Sequence, residues 1–364
     1  SEAGIANVLG ETTLANPGLP NNYYVTSAAL PGVSTTFPTT TGVTTGGFTG
    51  AADLTLADTG QAVSINAPPA AATLTDEGIL GVVTFTWEKG ANSTASATST
   101  DAGDAAWYRL TNVSIPQMLV AMGSTVNANF ITGNAADATI PIYMFGRNAG
   151  SGTRVNCLED LYFGIGNEVS QAALNSTYPS SGVLTYNLST VQATMFPTVA
   201  ASLAAGDDSG TPGASPNIFG IANDGYDSGG SVSYCMSCDS TKSEVITLGY
   251  LGMSDALHAK NGQAATSTAA AQPGGAVLLS LDGVFENDAT VVNGTYTFWG
   301  HEHLYAAHSA SAHATAVAPA IKAGIAAKGN LGTGVATVQS AGILYTDMLA
   351  DKANGGEVGY PSPL

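Results

Sequence analysis

The sequence predicts an α/β fold, and three observations carry that reading. Runs rich in β-branched and aromatic residues alternate along the chain with stretches of helical spacing. One stretch, "TIPIYMFGRNAGSGTRVNCLEDLYFG", reads as strand, glycine-rich turn and helix in direct succession. The length of 364 residues is more than one core usually takes, at about 150 residues per domain, and predicts two.

In chain order, residues 1–22 show no periodicity and contain Pro17 and Pro20, so an extended arm is expected, leading into a first strand, "YYVTSAAL". The Gly and Thr cluster that follows reads as a loop, and "AADLTLAD" as a short buried strand ending at Asp58. "GILGVVTFTWEKG" is a long strand closed by Gly90, and "GANSTASATSTDAGDAA" a polar surface loop. Ser114, Pro116 and Gly123 supply start and stop signals for a helix over "SIPQMLVAMG". Further strands are expected at "EVITLGYLGM" and "AVLLSLDG", then helical segments from "YTFWGHEHLYAAH" to the C-terminus.

Charge excludes one class of partner. The chain carries 27 acidic and nine basic residues, a formal net charge of −18. Phosphate backbones are held by many Lys and Arg side chains, so nucleic acid is excluded. Low charge with abundant Ala, Gly, Thr and Ser matches the composition of exported surface proteins, and no apolar run has membrane-span length. The opening at Ser1 fits a mature product whose export signal has been removed.

The three arginines are Arg109, Arg147 and Arg154, and two of them bracket "NAGSGT". A helix N-terminus presents unpaired N–H groups and a partial positive charge, so it holds oxyanions. Gly150 and Gly152 admit close backbone approach, Ser151 and Thr153 add hydroxyls, and Arg147 offers a planar fork. The motif lacks the lysine of a P-loop, the third glycine of a dinucleotide site and the G-x-S-x-G order of an esterase. The alternative is a strand-to-helix turn whose arginines serve salt bridges.

"GRNAGSGTR" resembles the Arg-x-x-x-Ser-Gly-Thr signature of the substrate-binding proteins of phosphate ABC transporters. "AADLTLADTG", "LGYLGMSDALHAKNG" and "VVNGTYTFWGHEHLY" resemble three other segments of that family, in the same order, so the likeness spans about residues 23 to 310. The resemblance implies a two-lobed, type II periplasmic binding protein fold without enzymatic activity or cofactor. Lobe one would be 23–89 plus 256–364 and lobe two 90–255. It implies that Arg147, Ser151, Gly152 and Thr153 bind phosphate from one lobe. From the other, Asp58 accepts a hydrogen bond from a protonated phosphate oxygen, which sulfate cannot offer. Thr40 and Thr41 fall where the family has a Ser-Gly-Gly loop, and Ser27 at its first anion-binding turn. An ABC transporter permease is the implied partner. The family often has Asp-Gly before Ser-Gly-Thr, where this chain has Ala149-Gly150.

Other clusters are weighed against plainer readings. His301, His303, His308 and His313 suggest a metal, but on a helix His301 and His303 point apart. Asp224, Asp227 and Asp239 lie among glycines without the spacing of a calcium loop. Cys157, Cys235 and Cys238 are disulfide candidates, either within the Cys-x-x-Cys or from it to Cys157, with inert thiols or metal and redox chemistry as alternatives. Five Asn-x-Ser/Thr sequons carry little weight in so Ser- and Thr-rich a chain. The leading expectation is an exported receptor that closes on phosphate between its lobes. The alternative is an extracellular filament or surface-layer subunit that reuses this fold and assembles through the N-terminal arm.

Overall fold

The computed structural model describes residues 5, 8, 9, 53–64, 74–167, 169–174, 193–195, 221–222, 225–226, 228–239, 245–264, 272, 274–308, 310, 312–328, 342–353 and 358–363. Ser27, Thr40, Thr41, the strand expected at "YYVTSAAL", Asp224 and Asp227 lie outside them. The fold is mixed α/β.

In order the elements are β1 (Leu54–Ala57), β2 (Thr75–Lys89), α1 (Ala102–Arg109), β3 (Asn112–Val113), α2 (Ile115–Gly123), β4 (Val126–Asn127), α3 (Ala128–Thr132), β5 (Pro141–Phe145) and α4 (Gly152–Asp160). Then come β6 (Ala172–Leu174), β7 (Ala193–Met195), β8 (Ile221–Ala222), β9 (Gly225–Tyr226), α5 (Gly229–Met236), β10 (Ile246–Gly252) and α6 (Met253–Asn261). Last are β11 (Val277–Leu278), β12 (Ser280–Leu281), α7 (Asp288–Val292), β13 (Trp299–Ala306), α8 (Ala312–Lys328), β14 (Gly342–Leu344), β15 (Ala350–Ala353) and β16 (Val358–Pro363).

The main sheet runs β1-β13-β2-β10-β5-β4, and β2 is its spine. Its first part pairs antiparallel with β13 from Thr75 to Thr84, and its last part antiparallel with β10 from Phe85 to Lys89. β10 in turn runs parallel to β5. One face of this junction is aromatic: Trp87 lies 5.6 Å from Tyr250 and 5.8 Å from Phe298, ring centre to ring centre. All three rings are buried, and they join Phe85, Leu248 and Met144 in the largest apolar cluster. Lys89 crosses to α1, where its Nζ donates to the carbonyls of Trp107 and Leu110, 2.6 Å each. A helix end leaves carbonyls unpaired, and this lysine caps them.

Four local expectations are corrected. "WGHEHLYA" is the strand β13 and not a helix, because Trp299, His301, His303 and Tyr305 repeat with period two. Their rings form a ladder with centres 5.7, 5.9 and 5.2 Å apart, so His301 and His303 share a face. Each pairs with a carboxylate, His301 with Asp351 at 3.0 Å and His303 with Asp76 at 3.2 Å. Among the described residues no three His, Cys, Asp or Glu side chains converge as a metal-ligand set. The polar loop after Gly90 contains helix α1, started by Asp101, whose side chain accepts from the Asp104 N–H at 2.9 Å. Within the arm, Ile5, Val8 and Leu9 are helical and not extended, with Ile5 and Val8 buried beside Ala57, Leu74 and Tyr305. Beyond α8, β14, β15 and β16 are strands where helix was expected.

The cysteines are thiols. Cys157 is buried in the large cluster on α4, whereas Cys235 and Cys238 belong to a second cluster around α5, so the pairings with Cys157 are overturned. Cys238 Sγ donates to the Tyr234 carbonyl at 3.4 Å and bonds to no other sulfur. Burial pushes the Cys235 thiol up to about 12 and raises those of Cys157 and Cys238, so all three are poor nucleophiles.

Candidate functional site

The strand, turn and helix read from "GRNAGSGTR" form as expected, β5 leading through residues 146–151 into α4. Ser151 caps α4: its backbone is extended and its Oγ accepts from the Arg154 N–H at 3.4 Å. Ser151, Gly152, Thr153 and Arg154 are all buried. The N–H groups of Gly152 and Thr153 donate to no acceptor among the described residues. A buried helix start normally finds partners for its first N–H groups, and here two donors remain available.

Asp58 stands at the same place, directly after β1. Asn156, one turn into α4, donates from its Nδ2 to the Asp58 carbonyl at 2.6 Å and to the Gly152 carbonyl at 3.0 Å. One amide group therefore ties the end of β1 to the first turn of α4. Gly300 makes room for it, since a Cβ there would fall 1.9 Å from Asn156 Oδ1. Asp58 Oδ1 is buried and takes no hydrogen bond from a described residue. An unpaired buried carboxylate oxygen is costly unless a donor reaches it. Glu302 lies close by on β13, and burial together with the Asp58 charge pushes its carboxyl up to about 7.

Arg147 is placed differently from Ser151, Gly152 and Thr153. Its Nε donates to the Tyr226 carbonyl at 3.3 Å. Its Nη1 lies against the first residue of α5, 3.5 Å from where a Cβ on Gly229 would sit, and Asp255 Oδ2 lies against the same position. The guanidinium is thus directed to a second helix N-terminus, capped by Ser228. Burial raises the Asp255 carboxyl while Arg147 and His258 hold it down. Asp255 supplies a carboxylate beside Arg147, and its signal was an acid in the first turn after "LGYLGM".

A polar network fixes the turn itself. Tyr250 Oη accepts from the Arg147 N–H at 3.1 Å and donates to Gln171 Oε1 at 2.7 Å. Gln171 Nε2 returns to the Arg147 carbonyl at 3.2 Å, and Arg154 Nη1 reaches the same carbonyl at 3.3 Å. Arg154 is therefore a brace for the turn, and Arg109 is bidentate to Asp137. Asn156 and Gln171 escaped the sequence because neither belongs to a motif.

No family model matches the chain, and no curated protein matches it. Solved structures do. The chain resembles phosphate receptors of ABC transporters. An ABC-type phosphate transport receptor from Vibrio cholerae shares 9% identity, with 76% of each chain covered and a TM-score of 0.38. A protein described as a phosphate ABC transporter substrate-binding protein, with bound phosphate, from Clostridium perfringens shares 11% identity, with 73% of this chain and 70% of that one covered and a TM-score of 0.36.

Proposed function

We propose that the chain is an exported solute-binding protein that holds a tetrahedral oxyanion, phosphate, between Asp58 and the first turn of α4, without catalysing a reaction. One observation carries the reading: among the described residues the N–H groups of Gly152 and Thr153 lack acceptors at a buried helix start while a buried oxygen of Asp58 lacks a donor, and Asn156 joins the two. A monoprotonated or diprotonated phosphate supplies both needs at once, accepting from the helix and donating to the carboxylate. Sulfate supplies only the first. Ser151 and Thr153 hydroxyls belong to the same site, and Arg147 joins it by swinging from α5 as the lobes, 23–89 plus 256–364 and 90–255, close. Delivery to an ABC transporter permease would follow capture.

Calorimetric titration with phosphate and sulfate tests this. Gly152→Pro removes one N–H at a position where proline suits the helix, so the fold survives and one donor is lost. Loss of a hydrogen bond to a charged group costs about 2 kcal/mol, roughly a thirtyfold weakening of phosphate. Asp58→Asn should lose discrimination, weakening phosphate and admitting sulfate. Arg147→Ala should remove most binding. No heat at millimolar phosphate with the wild-type chain overturns the proposal, and unchanged affinity in Gly152→Pro overturns the placement on α4.

A further inference from the structure

Three of the five Asn-x-Ser/Thr sequons, at Asn92, Asn112 and Asn293, lie among the described residues, and the fold treats them differently. Asn92 is half-buried, and its Nδ2 donates to Asp104 Oδ1 at 2.8 Å while the Thr94 hydroxyl donates to Asp104 Oδ2 at 2.6 Å. The Thr94 N–H and Oγ1 also lie on Asn92 Oδ1, at 3.0 and 3.2 Å, while the Asn92 nitrogen is held by the Asp104 carboxylate. Asn112 sits in β3, paired with β12, and its Oδ1 accepts from Ser280 Oγ at 2.8 Å and Gly283 N at 2.7 Å. The third residue of that sequon, Ser114, turns its hydroxyl to Gln117 Oε1 at 3.0 Å.

Asn293 is the opposite case. It caps the C-terminus of α7, is exposed, and is followed by Gly294 at φ 74° and the exposed Thr295. Its Oδ1 accepts from the Thr295 N–H at 2.9 Å and from Thr295 Oγ1 at 2.7 Å, that hydroxyl also lying 3.3 Å from the Thr290 carbonyl. Its Nδ2 donates to no described residue. Asn92 and Asn112 also carry two donors on the carboxamide oxygen, so Asn293 is set apart by its exposure together with an Nδ2 that donates to no described residue. A second feature adjoins the turn: Leu349, 65% exposed, is held beside it by its N–H to the Val292 carbonyl at 2.9 Å. A bulky, solubilising group on Asn293 would cover this apolar side chain.

We propose that Asn293 is the N-glycosylation acceptor that the fold presents, with Asn92 and Asn112 withheld. The co-reactant is an oligosaccharide carried on a polyprenyl phosphate or pyrophosphate, delivered by an oligosaccharyltransferase. Asn293 Nδ2 attacks the anomeric carbon, the N–C bond forms as the C–O bond to the lipid phosphate breaks, and the lipid phosphate leaves with the electron pair. One Nδ2 proton passes to a base of the transferase, and nothing is oxidised or reduced. This inference is independent of phosphate binding.

The test uses the full chain, folded and separately unfolded in urea then diluted, as acceptor for a purified oligosaccharyltransferase with lipid-linked oligosaccharide. Peptides are quantified by mass spectrometry. The expected result is glycan on Asn293 of the folded chain at least tenfold faster than on Asn92 or Asn112, with the difference collapsing in the unfolded chain. Thr295→Ala should abolish the Asn293 product and leave the other two sites as they were. Asn293 unmodified in the folded chain, or Asn92 or Asn112 modified as fast, overturns the proposal.

Discussion

Glu88 is the residue whose placement most needs a physical account. It is fully buried on β2, opposite Gly249 of β10, and neither carboxylate oxygen has a hydrogen-bond partner among the described residues. Burial raises its carboxyl well above the usual range, and the nearby Asp255 charge raises it further. The folded chain therefore binds a proton at Glu88 more tightly than the unfolded chain does. Its contribution to stability is fully present below the unfolded value, about pH 4.3, and is lost as pH rises toward the folded value. Glu88→Gln removes the ionisation while keeping the volume. Urea unfolding of the variant is expected to show a gain over wild type that grows between pH 5 and 8 and vanishes near pH 4. A constant difference across that range would remove Glu88 as the source.

At the scale of elements, the turn before α4 is held by a neighbour it scarcely has room for. β9 bonds to it on both sides, Tyr226 N to the Gly146 carbonyl and Asn148 N to the Tyr226 carbonyl, 2.9 Å each. A Cβ on Gly225 would fall 2.3 Å from the Arg147 carbonyl oxygen, which is backbone and cannot rotate away. Gly225→Ala is expected to cost about 1 to 3 kcal/mol in denaturant unfolding, the range of overpacked sites, and to weaken the proposed phosphate binding by shifting the Arg147 carbonyl. This contact also marks the limit of legibility. The strand, turn and helix were readable because capping and glycine signals are local, as were the α2 signals: Ser114 begins the helix, and Gln117 Oε1 accepts from its backbone N–H at 3.1 Å. β13 was read as helix, although its imidazole rings continue the period of two set by Trp299 and Tyr305. Gly225, Asn156 and Asp255 act across long sequence separations, where neither periodicity nor spacing speaks.

The whole molecule is closed by its C-terminal segment, and that closure bears on the helix that carries the candidate site. Lys352 of β15 is buried and donates from its Nζ to Asp160 Oδ1, at the far end of α4, and to the Trp299 carbonyl of β13 at 2.9 Å. Beside it Asp351 takes the Tyr345 hydroxyl at 3.0 Å and faces His301. One lysine thus links α4, β13 and the C-terminal hairpin of β15 and β16. Asp160 Oδ2 is buried without a donor among the described residues, and burial pushes the Asp160 carboxyl up to about 6 even though Lys352 holds it down. Because this value is raised above the unfolded one, Asp160 favours folding most below about pH 3.9, and that benefit is lost as pH rises toward 6. Lys352→Met removes the cation and leaves the carboxylate stranded, a loss of about 3 to 5 kcal/mol at neutral pH for a broken buried pair. The deficit should shrink below pH 5, where a proton takes the place of the lysine, and Lys352→Met with Asp160→Asn should recover most of it. Thermal unfolding of the three variants against pH measures each step. A double variant no more stable than Lys352→Met would mean that Lys352 acts through Trp299 and the hairpin, and that α4 is held by packing alone.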